Sequence, residues 1–175
     1  MKWREVTAVL CDKRMPIRLK SLIYKTVVRP VALYGAECWQ TTKTTDEKLH
    51  VMEMRMLRCA LGFTRLDRIR NTSIRQQLGI TAITEKMQEH RLRWYGHVLR
   101  ANLSTVASLA YNMHVDGRRP RGRPKQRWQD KTFNDLRKTG LQPTDASNRQ
   151  LWRSHSNRDK SQDEDVFIHA KNVVP

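Results

Sequence analysis

An excess of positive charge limits this chain more than any other feature: 34 Lys and Arg stand against 17 Asp and Glu in 175 residues, a formal net charge of +17. Self-repulsion of that size opposes compaction unless a polyanion neutralises it. Phosphate backbones do so with release of condensed counterions, which makes nucleic acid the expected partner, whether RNA, RNA·DNA hybrid or duplex DNA. An acidic membrane surface would require a helix with its basic residues on one face, or a lipidation motif, and the sequence shows neither. No small-molecule substrate is implied. The mean hydropathy of −0.74 is low for a compact chain, so part of the length is expected to lie outside any core.

Apolar periodicity places the core in helices. Ile17, Leu22, Ile23, Val27 and Val28 follow a helical pattern after Pro16, and Pro30 should kink or end that helix. Val31 to Trp39 is apolar enough for burial, as a second short helix or an irregular packed segment. Thr44 and Glu47 have the spacing of a capping box. Leu49, Met52, Met56, Leu57 and Ala60 then line one face, and Gly62 is a natural stop. From Asn71 to Leu99 the string reads as a short helix, a turn at Gly79 and a long helix with Ile83, Met87, Trp94 and Val98 along one side. That unit suits a helix-turn-helix DNA reader or a hairpin that only packs.

The composition changes after Val115. Asp116 to Trp128 (DGRRPRGRPKQRW) carries six positive residues with two prolines and two glycines, and is expected to be an exposed basic linker. Within it, PRGRPK resembles the core of an AT-hook, in which arginines flanking a glycine enter a narrow minor groove. Sequence-independent phosphate contact and a plain solvated linker are the other two readings. Short helical patterns follow at Arg127 to Lys138, with Trp128, Phe133 and Leu136, and at Thr144 to Trp152. From Ser154 on, three Lys and Arg meet four Asp and Glu, so the positive excess belongs to the rest of the chain and the tail is expected to be disordered.

The expected fold is therefore all-α: an irregular helical bundle with a basic linker and a disordered C-terminal tail. Its divisions are a helical domain over 1–115, the linker over 116–128, a short helical segment over 129–153 and the tail over 154–175.

Chemistry-bearing patterns are sparse. Cys11, Cys38 and Cys59 form no CxxC pair and sit among apolar residues, where a free thiol behaves as a small core hydrophobe in a reducing setting. The expected location is intracellular, nuclear or cytoplasmic. The six histidines add no zinc-site spacing, so neither metal nor cofactor is expected. There is no GxxxxGK[ST], GxSxG or HExxH string. The dense acidic cluster Asp163, Glu164, Asp165 lies in the tail, and Asp130 and Asp135 are expected to cap their helix or pair with Arg127. No catalytic residue is assigned. Trp94, Tyr95 and His97 lie among Arg91, Arg93 and Arg100, an arrangement on which unpaired bases can stack. The simpler expectation makes Trp94 a core anchor.

In order across residues 2 to 153, the strings KWREVTAVLCDKRMP, YKTVVRPVALYGAECW, MRMLR with LDRIRN, IRQQLGI, RLRWYGHVLR, GRPKQRW and DLRKTGL with LWR resemble the region downstream of the palm in reverse transcriptases of non-LTR (LINE, RTE-like) retrotransposons. The resemblance implies a helical thumb starting at Pro16 to Trp39, which grips template and primer, and a basic region over Arg91 to Arg127. It makes Lys20, Lys25, Arg29, Arg55, Arg58, Arg91, Arg93, His97, Arg118, Arg119, Arg121, Arg123, Lys125 and Arg127 candidates for phosphate contacts. The chain contains no adjacent Asp-Asp pair such as the family's palm carries, so the implied role is binding without catalysis, with an intact element polymerase as a further partner. A DNA-binding module domesticated from the element and a non-functional pseudogene product are the alternatives.

Overall fold

The computed structural model describes residues 2–114, 117, 121–122 and 126–157, and over these the fold is all-α. The helices are α1 (Lys2–Leu10), α2 (Ile17–Ile23), α3 (Arg29–Ala32), α4 (Lys43–Leu61), α5 (Asn71–Leu78), α6 (Ile83–Arg100), α7 (Val106–Asn112), α8 (Trp128–Thr139) and α9 (Arg149–Ser156). The chain divides into two units: one takes the residues up to Ala36 and Thr42–Met87, the other Glu37–Thr41 and the residues from Gln88 on. The boundary thus falls inside α6, within the span 1–115 expected as one helical domain. The physical reason is that residues beyond 88 find their apolar partners in α8 and α9, through contacts too distant in sequence for periodicity to reveal.

In the first unit Pro30 does not end its helix. Residues Tyr24–Val28 widen into a π-helical turn and α3 continues to Ala32. Proline lacks an N–H and its ring would crowd the carbonyl four residues earlier, and a wider turn relieves both problems. The chain then leaves the helix through Gly35 at φ 67° and a 3-10 turn at Ala36–Cys38. Only part of this segment is buried: Leu33 and Ala36 are inside, whereas Val31, Tyr34 and Trp39 are exposed.

Helix α4 begins earlier than the Thr44–Glu47 spacing suggests. Its N-cap is Thr42, whose hydroxyl oxygen accepts from the Thr45 amide at 3.3 Å, and it stops at Gly62 with φ 76°. Its buried face is Glu53, Met54, Leu57 and Ala60, with Met52 and Met56 only partly buried at the edge. The centre of that face is a carboxylate. Glu53 is 0% exposed and accepts from the Tyr24 hydroxyl at 2.9 Å, the Arg75 guanidinium at 2.9 Å and the Ile83 amide at 3.2 Å. A buried charge is tolerable when its lone pairs are all met in this way. Burial, followed by the nearby Glu53 charge, pushes the Tyr24 phenol above its ordinary range. Leu10, Tyr24, Val28, Leu57, Ile74, Leu78 and Ile80 pack around this network.

In the second unit the core is aromatic. Tyr95 is buried among Tyr111, Trp128, Phe133 and Trp152, at ring-centroid distances of 5.7, 6.0, 6.4 and 6.2 Å. Such tilted and edge-on pairs contribute beyond their area burial. Leu92, Leu136, Leu141 and Ala146 complete the cluster. The indole N–H of Trp152 donates to the Leu92 carbonyl at 2.9 Å, and that of Trp128 to the Glu37 carbonyl at 2.7 Å. Gly96 is what lets α9 dock, because a Cβ there would lie 2.5 Å from Nε1 of Trp152. Helix α8 is capped by its own third residue, as expected: the Asp130 carboxylate accepts from the Arg127 amide at 2.7 Å. Asp135 behaves otherwise, pairing with Arg91 deep in the core rather than with Arg127.

Candidate nucleic-acid interface

The sequence-derived phosphate contacts separate into three groups. Lys20, Arg29 and Arg91 are buried and are removed from the set. Lys20 Nζ donates to the Ala60 carbonyl at 2.7 Å, and Arg29 donates to the Thr81 carbonyl at 2.7 Å with its guanidinium over the Tyr24 ring. Arg91 is 1% exposed, ion-paired with Asp135 and donating to Thr41 Oγ1 at 3.0 Å. Burial outweighs Arg91 in its effect on Asp135, whose carboxyl is held above the usual carboxylate range. These three cations hold the fold together because a long basic side chain lends an apolar stem to a core while its head satisfies carbonyls.

A second group is exposed or half-buried. Lys25, Arg55, Arg93, His97, Arg121 and Arg127 reach solvent, and Arg58 is half-buried, donating to Asn71 Oδ1 at 2.6 Å and the Ile69 carbonyl at 3.2 Å. Arg118, Arg119, Arg123 and Lys125 form the third group and lie outside the described residues, as do most of the PRGRPK string and the tail from residue 158. Residues 154–156 of the expected tail belong to α9.

Within the second unit, α6 and α9 line an open cleft of about 640 Å³. Its walls are His90, Arg93, Trp94, His97, Arg100, Arg149, Trp152, Arg153, Ser156 and Asn157, with Glu37 as the acidic member. Trp94 is half-buried and stacks on His97, their ring centroids 5.3 Å apart with planes at 27°. It is therefore a wall of the cleft, and Tyr95 takes the core-anchor place expected for Trp94. Arg93 donates to Glu89 at 2.6 Å, yet its side chain remains 66% exposed. Arg100 donates to the Ala146 carbonyl at 3.0 Å. Burial and the like charge of Arg149 lower its affinity for its proton. The guanidinium groups of Arg149 and Arg153 make no hydrogen bond or ion pair among the described residues. The cleft holds more cations than carboxylates, which is the electrostatic condition for holding a polyanion.

Arg100, Arg149, Arg153 and His90 are additions to the sequence-derived set, and each left a signal. His90, Arg93, His97 and Arg100 recur at spacings of three and four, one face of α6, and Arg149 and Arg153 stand four apart on α9. The packing of Trp152 against Gly96, with its indole N–H on the Leu92 carbonyl, brings the two rows together.

A second basic groove, in the first unit, is lined by His50, Arg55, Arg58, Cys59, Phe63, Arg65 and Asn71. In the α5–α6 hairpin, Ile74, Leu78, Ile80, Ile83 and Met87 are all buried, and the Glu53 carboxylate caps the start of α6. A reading helix needs its first turn free for bases. Among the described residues no group of His, Cys, Asp or Glu is placed to hold a metal ion, and no described helix is long and apolar enough to cross a membrane. Comparison with protein-family models, with curated proteins and with solved structures finds no match to this chain.

Proposed function

We propose that this chain binds nucleic acid without catalysing a reaction, gripping RNA through the α6–α9 cleft, in the manner of the post-palm region of a non-LTR retrotransposon reverse transcriptase. The observation that carries the reading is the convergence of Arg93, Arg100, Arg149 and Arg153 around the Trp94–His97 stack. Guanidinium groups hold phosphates, and an indole ring between them offers a platform for an unpaired base. That combination fits a single-stranded segment or hairpin end better than a uniform duplex, whose bases are already stacked. The ordered strings of residues 2 to 153 and the net charge of +17 support the same reading.

The test is binding of the full chain to labelled structured RNA, RNA·DNA hybrid and A·T-rich duplex over a salt series from about 50 to 300 mM. Affinity should fall linearly in log–log form with a slope reporting about five phosphate contacts. Arg149→Gln with Arg153→Gln should flatten that slope by about 1.4, and Trp94→Ala should weaken RNA binding by about 1–3 kcal/mol. Absence of binding at low salt would sink the proposal. A preference for A·T-rich duplex that ignores all three substitutions would move the site to PRGRPK and favour the domesticated DNA-binding module.

A further inference from the structure

The cysteines do not occupy the core positions expected of them: Cys38 and Cys59 are exposed and Cys11 is half-buried. Cys11 follows the last residue of α1, and Cys59 lies in the last turn of α4, 48 residues further on. Their sulfur atoms are nevertheless 2.7 Å apart. That is within about 0.7 Å of a covalent S–S bond, a spacing that side chains pointing away from each other cannot reach without backbone movement. The local packing fixes the approach from both sides. Leu10 is buried against the cluster that holds Leu57 and Ala60, and Lys20 ties itself to the Ala60 carbonyl at 2.7 Å.

We propose that Cys11 and Cys59 are a dithiol site that closes reversibly to a disulfide in exchange with a low-molecular-weight disulfide of the glutathione type, stapling α1 to α4. Cys59 is the attacking residue because it is the more exposed of the two. Its thiolate attacks one sulfur of the oxidised glutathione, the S–S bond breaks, and one glutathione leaves as a thiolate that takes up a proton. Cys11 then gives its proton to solvent and attacks the Cys59 sulfur of the mixed disulfide, expelling the second glutathione. Two protein thiols are oxidised to one disulfide while one glutathione disulfide is reduced to two thiols. Burial and the Cys59 thiol push the Cys11 thiol up to about 11, with the Lys20 ammonium acting in the opposite direction. Two of the raising causes are the Cys59 thiol itself, and they are removed once Cys59 is held in the mixed disulfide, which eases the ionisation of Cys11 that its attack requires.

The cross-link closes a loop of 48 residues that contains α2, α3 and most of α4, and so restricts the unfolded chain. It leaves the α6–α9 cleft untouched in composition, so its consequence is retention of α1 rather than a change in the proposed RNA contacts.

The experiment uses the full chain carrying Cys38→Ser, incubated folded at about pH 8 with oxidised glutathione, then alkylated, digested and weighed. The expected product is a Cys11–Cys59 peptide pair, lighter by two hydrogens, with no glutathione retained. Its formation should raise the melting temperature by roughly 5–10 °C, reversed by dithiothreitol. Adding Cys11→Ser should leave glutathione trapped on Cys59. Glutathione retained on Cys59 when Cys11 is present, or a linked pair formed only in denaturant, would overturn the proposal. The unsubstituted chain, melted with and without dithiothreitol, supplies the same comparison should a serine variant fold poorly.

Discussion

Arginine has two distinct uses in this chain, and a single side chain's surroundings decide which. Arg153 on α9 lines the cleft and is exposed, whereas Arg91 on α6 is sealed in the core against Asp135. Removing Arg91 leaves a buried carboxyl without its cation, so Arg91→Met should cost on the order of 3–5 kcal/mol. Replacing both partners, as Arg91→Met with Asp135→Leu, removes the unpaired group as well and should restore most of that loss, since apolar replacement of a buried pair is often neutral. Chemical denaturation of the two variants is the check, with Arg153→Gln as the reference that should change stability by less than about 0.5 kcal/mol. Equal loss in the single and double variants would mean that the pair does no more than fill space. The resemblance made Arg91 a candidate phosphate contact, and the RLRWYGHVLR string itself gives no sign of a buried partner. Its partner is 44 residues away, and nothing in local spacing announces that distance.

At the scale of elements, termination was easier to read than initiation. Gly62 and Gly79 stand after α4 and α5 with φ of 76° and 56°, where other residues are strained, and their positions were plain in the sequence. The start of α4 was not, because TTKTT offers four threonines and Thr44–Glu47 mimics a capping box. Thr42 takes the role, its oxygen accepting from Thr45. Thr42→Ala should therefore cost about 1 kcal/mol and Thr44→Ala, inside the first turn and exposed, should cost little. Equal effects in thermal melts would place the cap elsewhere. In the same helix the apolar face Leu49, Met52, Met56, Leu57 and Ala60 packs inward, but the period does not show Glu53, which sits within the buried stripe and is satisfied by Tyr24, Arg75 and the Ile83 amide. A hydrophobic period cannot register a charge whose partners come from three other segments. The aromatic core of the second unit was hidden in the same way: Tyr95, Tyr111, Trp128, Phe133 and Trp152 were each visible, but their meeting was not.

For the whole molecule, the charge that suggested a partner also predicts how stability should respond to salt. The free chain carries +17 and repels itself, so raising ionic strength shortens the reach of that repulsion and its melting temperature should rise. RNA bound through the cleft works in the opposite sense. At a ligand concentration of about 100 times Kd, binding adds about 2.7 kcal/mol to the folded state. With about five phosphate contacts on a single strand, moving from roughly 100 to 300 mM salt should weaken binding about 50-fold. The added stability then shrinks to about 0.6 kcal/mol. Melting curves with and without RNA should therefore converge as salt rises, one climbing and the other falling. On the proposed function, Arg149→Gln with Arg153→Gln should bring the RNA curve onto the free one at lower salt, because the cleft has lost two of its cations. Parallel curves would show that the bound RNA does not neutralise the charge that destabilises the free chain. The basic residues of the cleft would then be incidental to whatever the RNA touches.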